Sequence, residues 1–165
     1  MDTWGLLGLD MAEHRAVALV GAGGKSSTMY ALARQARDTG RTVIVTTTTH
    51  IMPHPRLPLT DDPDPERLRA LLARHGVITL GRFLRPDKLS EAGSVAVCRA
   101  VAGVVIAEAD GARLRPLKAP AEHEPVIPPA ADAVVAVAGL DSVGAPIGAV
   151  CHRPERVCAL LGKSM

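Results

Sequence analysis

Three groups of residues have the types and spacing for chemistry. The first is the stretch Gly21-Ala22-Gly23-Gly24-Lys25-Ser26-Ser27, which follows the apolar run Ala16 to Val20 and precedes a helical pattern. Glycines let backbone N–H groups close around phosphate oxygens because no Cβ blocks the approach. A helix that starts there adds unpaired N–H groups and the positive end of its dipole. Lys25 can reach the outer phosphates as a point charge, and Ser26 can offer its hydroxyl to Mg²⁺. Gly21 to Ser27 are therefore the candidate cofactor-binding residues, with ATP or GTP and Mg²⁺ as the expected cofactors.

The second group is Glu108 with Asp110. Four apolar residues, Val104 to Ala107, deliver Glu108 at the carboxyl end of a buried strand, the edge where ligands sit in open α/β sheets. Glu108 is expected to hold Mg²⁺ together with Ser26. Asp110 is expected to support it or to orient an attacking water, although Asp110-Gly111 also reads as an ordinary turn. With Lys25, these two acids form the candidate catalytic set. The third group is Thr46 to Thr49 with His50. Only alternate residues of a strand can face a core, so two of these hydroxyls need partners elsewhere. Thr47, Thr48, Thr49 and His50 are candidate substrate residues. So are Lys118 and His123, from a rigid proline-flanked segment that also carries Glu122 and Glu124. Solvated strand ends and connections are the competing readings. His50 and His54 have ligand-like spacing, but Pro53 and Pro55 break the helix that would make them a metal pair.

The glycine spacing is shorter than the common G-x-x-x-x-G-K-[ST] loop, and it resembles the phosphate loop of the Mur ligase group, G-T-x-G-K-[ST]-[ST]. A dinucleotide fingerprint fits less well. Its third glycine would fall on Ser26, and threonines stand where its acid should be.

The elements that must position these groups alternate strand and helix, which predicts an α/β domain. The expected architecture is three layers, P-loop-like, with a mostly parallel sheet and helices on both faces. Strands are expected at Ala16–Val20, Thr42–Thr46, Val77–Leu80, Val104–Ala107 and Ala133–Ala138. One helix runs from Ser26 to about Thr39 with Met29, Leu32, Ala33 and Ala36 on one face, and Gly40 ends it. Another opens with Asp64 as N-cap and Pro65 in its first turn, and Gly76 stops it. A third is expected over Ser90–Val101 despite Gly93, and a short one over Arg153–Leu161. The segments Thr47–Pro63 and Gly111–Pro129 read as proline-rich loops.

A chain of 165 residues with 47% hydrophobic content suits one domain with a full core, here residues 1–165. Nineteen basic against 17 acidic side chains leave a formal charge of +2, too balanced to argue for nucleic acid or an anionic membrane. Trp4, Tyr30 and Phe83 are the only aromatics among Phe, Trp and Tyr, too few for base-stacking platforms. Cys98, Cys151 and Cys158 do not make an even disulfide framework. With no apolar run of about 20 residues and no signal-peptide pattern, a cytoplasmic location is expected.

Three stretches together resemble one family, from about Val17 to the C-terminus. They are V-G-A-G-G-K-S-S with V-T-T-T-T-H-I, then E-A-D-G-A-R with P-L-K-A-P-A-E-H-E-P-V-I-P, then A-G-L-D and H-R-P-E. The resemblance is to the YqeC family, accessory proteins of selenium-dependent molybdenum hydroxylases. It implies a P-loop-like nucleotide site and a role in supplying or inserting a selenium cofactor. A molybdenum hydroxylase or its cofactor would then be the partner. It marks Gly21–Ser27, Thr46–His50, Glu108–Arg113, Lys118–Pro128 and His152–Glu155 as motif positions. Ser26 and Ser27 stand where many members carry threonines. Members continue past H-R-P-E, so the resemblance implies that a C-terminal element is missing here.

Overall fold

The computed structural model describes residues 2–164. In chain order the elements are α1 (Thr3–Leu6), β1 (Ala16–Gly21), α2 (Lys25–Asp38), β2 (Val43–Thr47), β3 (His50–Ile51), β4 (Leu59–Thr60) and α3 (Pro65–His75). They continue with β5 (Val77–Leu80), β6 (Arg82–Arg85), β7 (Lys88–Ser90), α4 (Val95–Val101), β8 (Val104–Glu108) and β9 (Leu117–Lys118). Last come β10 (Ala133–Val137), α5 (Ile147–Val150), β11 (Cys151–His152) and α6 (Pro154–Leu160).

Six strands form one sheet in the order β10-β1-β8-β2-β5-β4, and every neighbouring pair is parallel. Strands β2, β5 and β8 are buried along their whole length, as near-continuous apolar runs in a parallel sheet require. On one face Val17, Leu19, Val43, Val45 and Ile106 pack against Met29, Leu32, Ala33 and Ala36 of α2 and against Trp4. On the other, Ala16, Ile44, Ile78 and Val105 pack against Leu68 and Leu72 of α3 and Val95 and Cys98 of α4. The alternation of β1 between the two cores is the period-two side-chain pattern of a strand. The molecule is therefore an α/β domain with a parallel sheet between two helical layers.

Helix boundaries follow their punctuation. Asp64 caps α3 by accepting from Arg67 N–H at 2.9 Å, Pro65 sits in its first turn, and Gly76 closes it at φ 72°. The expected helix over Ser90–Val101 is shorter. Ser90 belongs to β7, and Ser94 caps α4 by accepting from Val97 N–H at 3.3 Å. Gly93 lies against Pro63 and Leu80, where a Cβ would come within 2.8 Å of the proline side chain. The predicted loop after Thr47 contributes β4 to the sheet edge and β3 to a small antiparallel sheet, β3-β7-β6. The segment after Gly111 carries one short strand, β9, paired in parallel with β11. No helix of the described residues is long and apolar enough to cross a membrane.

Candidate functional site

The register brings the three candidate groups to one edge. Glu108 is level with Leu19 of β1 on one side and Thr47 of β2 on the other. The turn after β1 therefore stands next to the carboxyl end of β8. Gly21, Gly23 and Gly24 all have positive φ, at 88°, 64° and 120°. A Cβ on Gly21 would lie 2.3 Å from the Val137 carbonyl oxygen, and one on Gly23 would lie 2.4 Å from Gly139 N. Those two glycines are required by close backbone approach to the segment around β10. Gly24 is more open and opens α2 without a side-chain cap. The first helical bond there is Thr28 N–H to Gly24 oxygen at 2.9 Å, so the N–H groups of Lys25, Ser26 and Ser27 precede the ladder.

Lys25 is 6% exposed. Its Nζ donates to Gly21 oxygen at 2.7 Å and lies 3.6 Å from Glu108 Oε1. Glu108 is itself buried, and burial pushes its carboxyl above the usual range. The charges of Lys25 and Lys88 and hydrogen bonds from Lys25 and Ser26 pull the other way without reversing the direction. Asp110 has a different task. Its Oδ2 accepts Gly21 N–H at 3.0 Å and its Oδ1 accepts from Lys118, so both oxygens hold the chain itself.

Lys118 continues a buried charge network. Its Nζ also donates to Gly111 oxygen and Glu124 Oε2, each at 2.6 Å. Arg153 closes the network with a fork onto Glu124, 2.7 Å to Oε2 and 3.0 Å to Oε1. Burial pushes the Glu124 carboxyl up, but hydrogen bonds from Arg153, Lys118 and Ala121 N–H outweigh it and hold the carboxyl at about 2. The network ties the turn after β1 to the β11–α6 segment.

Three of the four threonine hydroxyls bond backbone. Thr46 Oγ1 donates to Leu80 oxygen, Thr47 Oγ1 to Glu108 oxygen at 2.9 Å and Thr48 Oγ1 to Val126 oxygen at 2.6 Å. Thr49 N–H donates to Thr47 Oγ1. These residues fasten β2 to β8 and to the loop beyond it. His50 and His54 diverge: His50 lines the cleft described next, and His54 packs on the Tyr30 ring with centroids 4.4 Å apart. His123 is exposed and does not line that cleft. Among the described residues no group of three or more His, Cys, Asp or Glu could hold a metal ion, and the three cysteines are buried free thiols.

Above the turn opens a cleft of about 610 Å³. Gly23 to Ser27 and Glu108 line it, and its other charged walls are Arg85, Lys88, Arg113, Arg115, Glu124 and Arg153, with His50 and His152. Six cationic side chains, counting Lys25, thus face two carboxylates. Burial, reinforced by Arg153, Arg113 and Lys118, pushes the His152 imidazole below its usual range. The described non-glycine residues with positive φ are Arg113, Leu114 and Arg153, and all three line this cleft. Such backbone costs about 1–3 kcal/mol per residue and clusters at functional sites. Arg85 and Lys88 have no local sequence signal, because they come from the small antiparallel sheet. The arginines after Asp110 become meaningful only once the chain returns through β9 and β11.

Comparisons with known proteins agree with the sequence motifs. The family model that matches is described as "YqeC protein" and covers residues 17–155. "Uncharacterized protein YqeC" of Escherichia coli (strain K12) is 36% identical over 138 residues, 79% of this chain and 54% of the relative. The chain thus spans about half the length of that relative. No solved structure matches.

Proposed function

The chain belongs to the YqeC family, and from that premise we propose that it binds a nucleoside triphosphate on the Gly21–Ser27 turn. In this reading it is a Mg-dependent NTPase or phosphoryl-transfer accessory factor in the cytoplasm. It serves the supply or insertion of a selenium cofactor in molybdenum hydroxylases. The observation that carries the nucleotide reading is the convergence of the glycine turn, Lys25 and Glu108 beneath one basic cleft.

Each residue has a definable task. The N–H groups at the start of α2 donate to the phosphate oxygens. Lys25, already inside the turn, neutralises the outer phosphates, and its Nζ moves from Gly21 oxygen and Glu108 to do so. Asp110 holds Gly21 N–H and so fixes the turn's shape. The donor set fits Mg²⁺: the Ser26 hydroxyl and the single Glu108 carboxylate are hard oxygen ligands, and Mg²⁺ commonly completes its shell with substrate phosphates and water. When bound, it neutralises charge on the transferring phosphoryl group. Neither ATP nor GTP is favoured by the sequence, which carries no N-K-x-D or T-K-x-D motif.

A second reading, a nucleotide-gated carrier with little turnover of its own, draws on the chain of bonds from Gly21 through Asp110, Lys118 and Glu124 to Arg153. That chain can pass the state of the turn to the β11–α6 segment. Hydrolysis by the isolated protein favours the enzyme, whereas tight binding without it favours the carrier.

Calorimetric titration with ATP and GTP in the presence of Mg²⁺ tests the site. Lys25→Ala is expected to lower affinity at least 100-fold in protein that circular dichroism shows to be folded. Glu108→Gln is expected to keep much of the binding and to lose Mg²⁺-dependent hydrolysis. Unchanged affinity in a folded Lys25→Ala protein would defeat the assignment.

A further inference from the structure

Resting on the nucleotide reading of the same cleft, we infer that a second ligand binds beside the triphosphate through an oxyanion group, a phosphate or a carboxylate, held by Arg113 and Arg115. The charge pattern of the cleft is the starting point. Lys25 already lies against Gly21 and Glu108, Arg153 is forked onto Glu124, and Arg85 pairs with Asp87 at 2.8 Å. Among the described residues no carboxylate pairs with Arg113, Arg115 or Lys88. Arg115 is braced, since its guanidinium donates to Ala149 oxygen, but a carbonyl leaves its charge in place.

The positions of these cations separate them from the phosphate turn. Lys88 acts electrostatically on Glu108, at the nucleotide end of the cleft. Arg113 acts on His152, at the end formed by β11. The cleft wall thus holds cations from β7 and from the segment after β8, besides the N–H groups at the start of α2. Like charges gathered in a cleft repel one another and focus a field that attracts an anion. Arg113 and Leu114 hold left-handed backbone, φ 48° and 61°, and so place the guanidinium at the cost of strain. An acceptor carrying a phosphate or carboxylate would be bound and oriented by this wall, with its other end toward Lys88 and Glu108.

The test uses the protein saturated with Mg²⁺ and a non-hydrolysable ATP analogue, titrated calorimetrically with inorganic phosphate in one arm and malonate in the other. Binding in either arm, weakened about tenfold by Arg113→Gln and by Arg115→Gln with analogue affinity within twofold of wild type, supports the inference. Preference for phosphate or for malonate identifies which oxyanion the acceptor carries. A second readout is the His152 imidazole by NMR, whose titration midpoint should rise when an anion neutralises Arg113. Three results would overturn the inference: no binding in either arm, displacement of the analogue by the anion, or equal weakening of analogue and anion in both variants. If the nucleotide reading itself fails, because Lys25→Ala leaves ATP affinity unchanged, the same anion titration on free protein still decides. Arg113-dependent binding retains the oxyanion site, and its absence removes it.

Discussion

Glu108 is a buried acid whose partners do not fully compensate its desolvation, and this has a consequence in solution. Its carboxyl titrates above the ordinary 4.5, first because of burial, with Lys25 only partly offsetting it. Since only the ionised form can hold a cation, the Mg²⁺-dependent part of nucleotide affinity should fall as pH drops through that raised value. The part that persists without Mg²⁺ should change less. Affinity measured across pH 4–8 with and without Mg²⁺ checks this, and Glu108→Gln should flatten the difference between the two curves. The same shift has the opposite sign for folding: a raised carboxyl pKa stabilises the fold below the unfolded value and loses that contribution as pH rises. At this scale the sequence was informative about Lys25, Ser26 and Glu108, because each stands beside a local glycine or apolar signal. It was mute about Asp110's task, since nothing local says that its partners are Gly21, 89 residues earlier, and Lys118.

At the scale of elements, the glycines of the turn do two separable jobs. Gly23 is fixed by its φ of 64° and by the Gly139 and Pro116 backbone, 2.4 and 2.5 Å from where a Cβ would stand. Gly111, on the same cleft, has open space at that position. Gly23→Ala should destabilise the fold by about 3 kcal/mol in urea denaturation and remove nucleotide binding, whereas Gly111→Ala should stay within about 0.5 kcal/mol of wild type. Equal stability of the two variants would contradict the packing of the turn against the segment after β10. Strands β1, β2, β5 and β8 were legible as apolar runs buried in the sheet and β10 as an apolar run at its edge, α2 by its apolar face and α3 by its apolar face and Asp64 cap. The β3-β7-β6 sheet was not. Arg82–Arg85 is exposed throughout, so it carries no burial period, and β3 is two residues long. The expected helix start at Ser90 is too early, because Ser90 belongs to β7 and Ser94 supplies the cap.

At the scale of the whole molecule, a formal charge of +2 conceals segregation. Six cations and two carboxylates line one cleft, and they come from chain segments as far apart as Lys25 and Arg153. Composition reads as neutral because the acids lie elsewhere, for example Asp61, Asp62, Asp64 and Glu66 around the start of α3. The parallel order β10-β1-β8-β2 sets the turn after β1 beside Glu108, and the β9–β11 pairing brings Arg153 and His152 back over it. Both cores serve this end by fixing strand register from opposite faces. The account therefore stands on where a polyphosphate binds. A crystal structure of the protein with Mg²⁺ and a non-hydrolysable nucleoside triphosphate measures that directly. It should show the β- and γ-phosphates on the N–H groups of Gly23–Ser27, with the Lys25 ammonium moved onto them and Glu108 beside the cation. Phosphates seated elsewhere in the cleft, with Lys25 still bound to Gly21 oxygen, would contradict it.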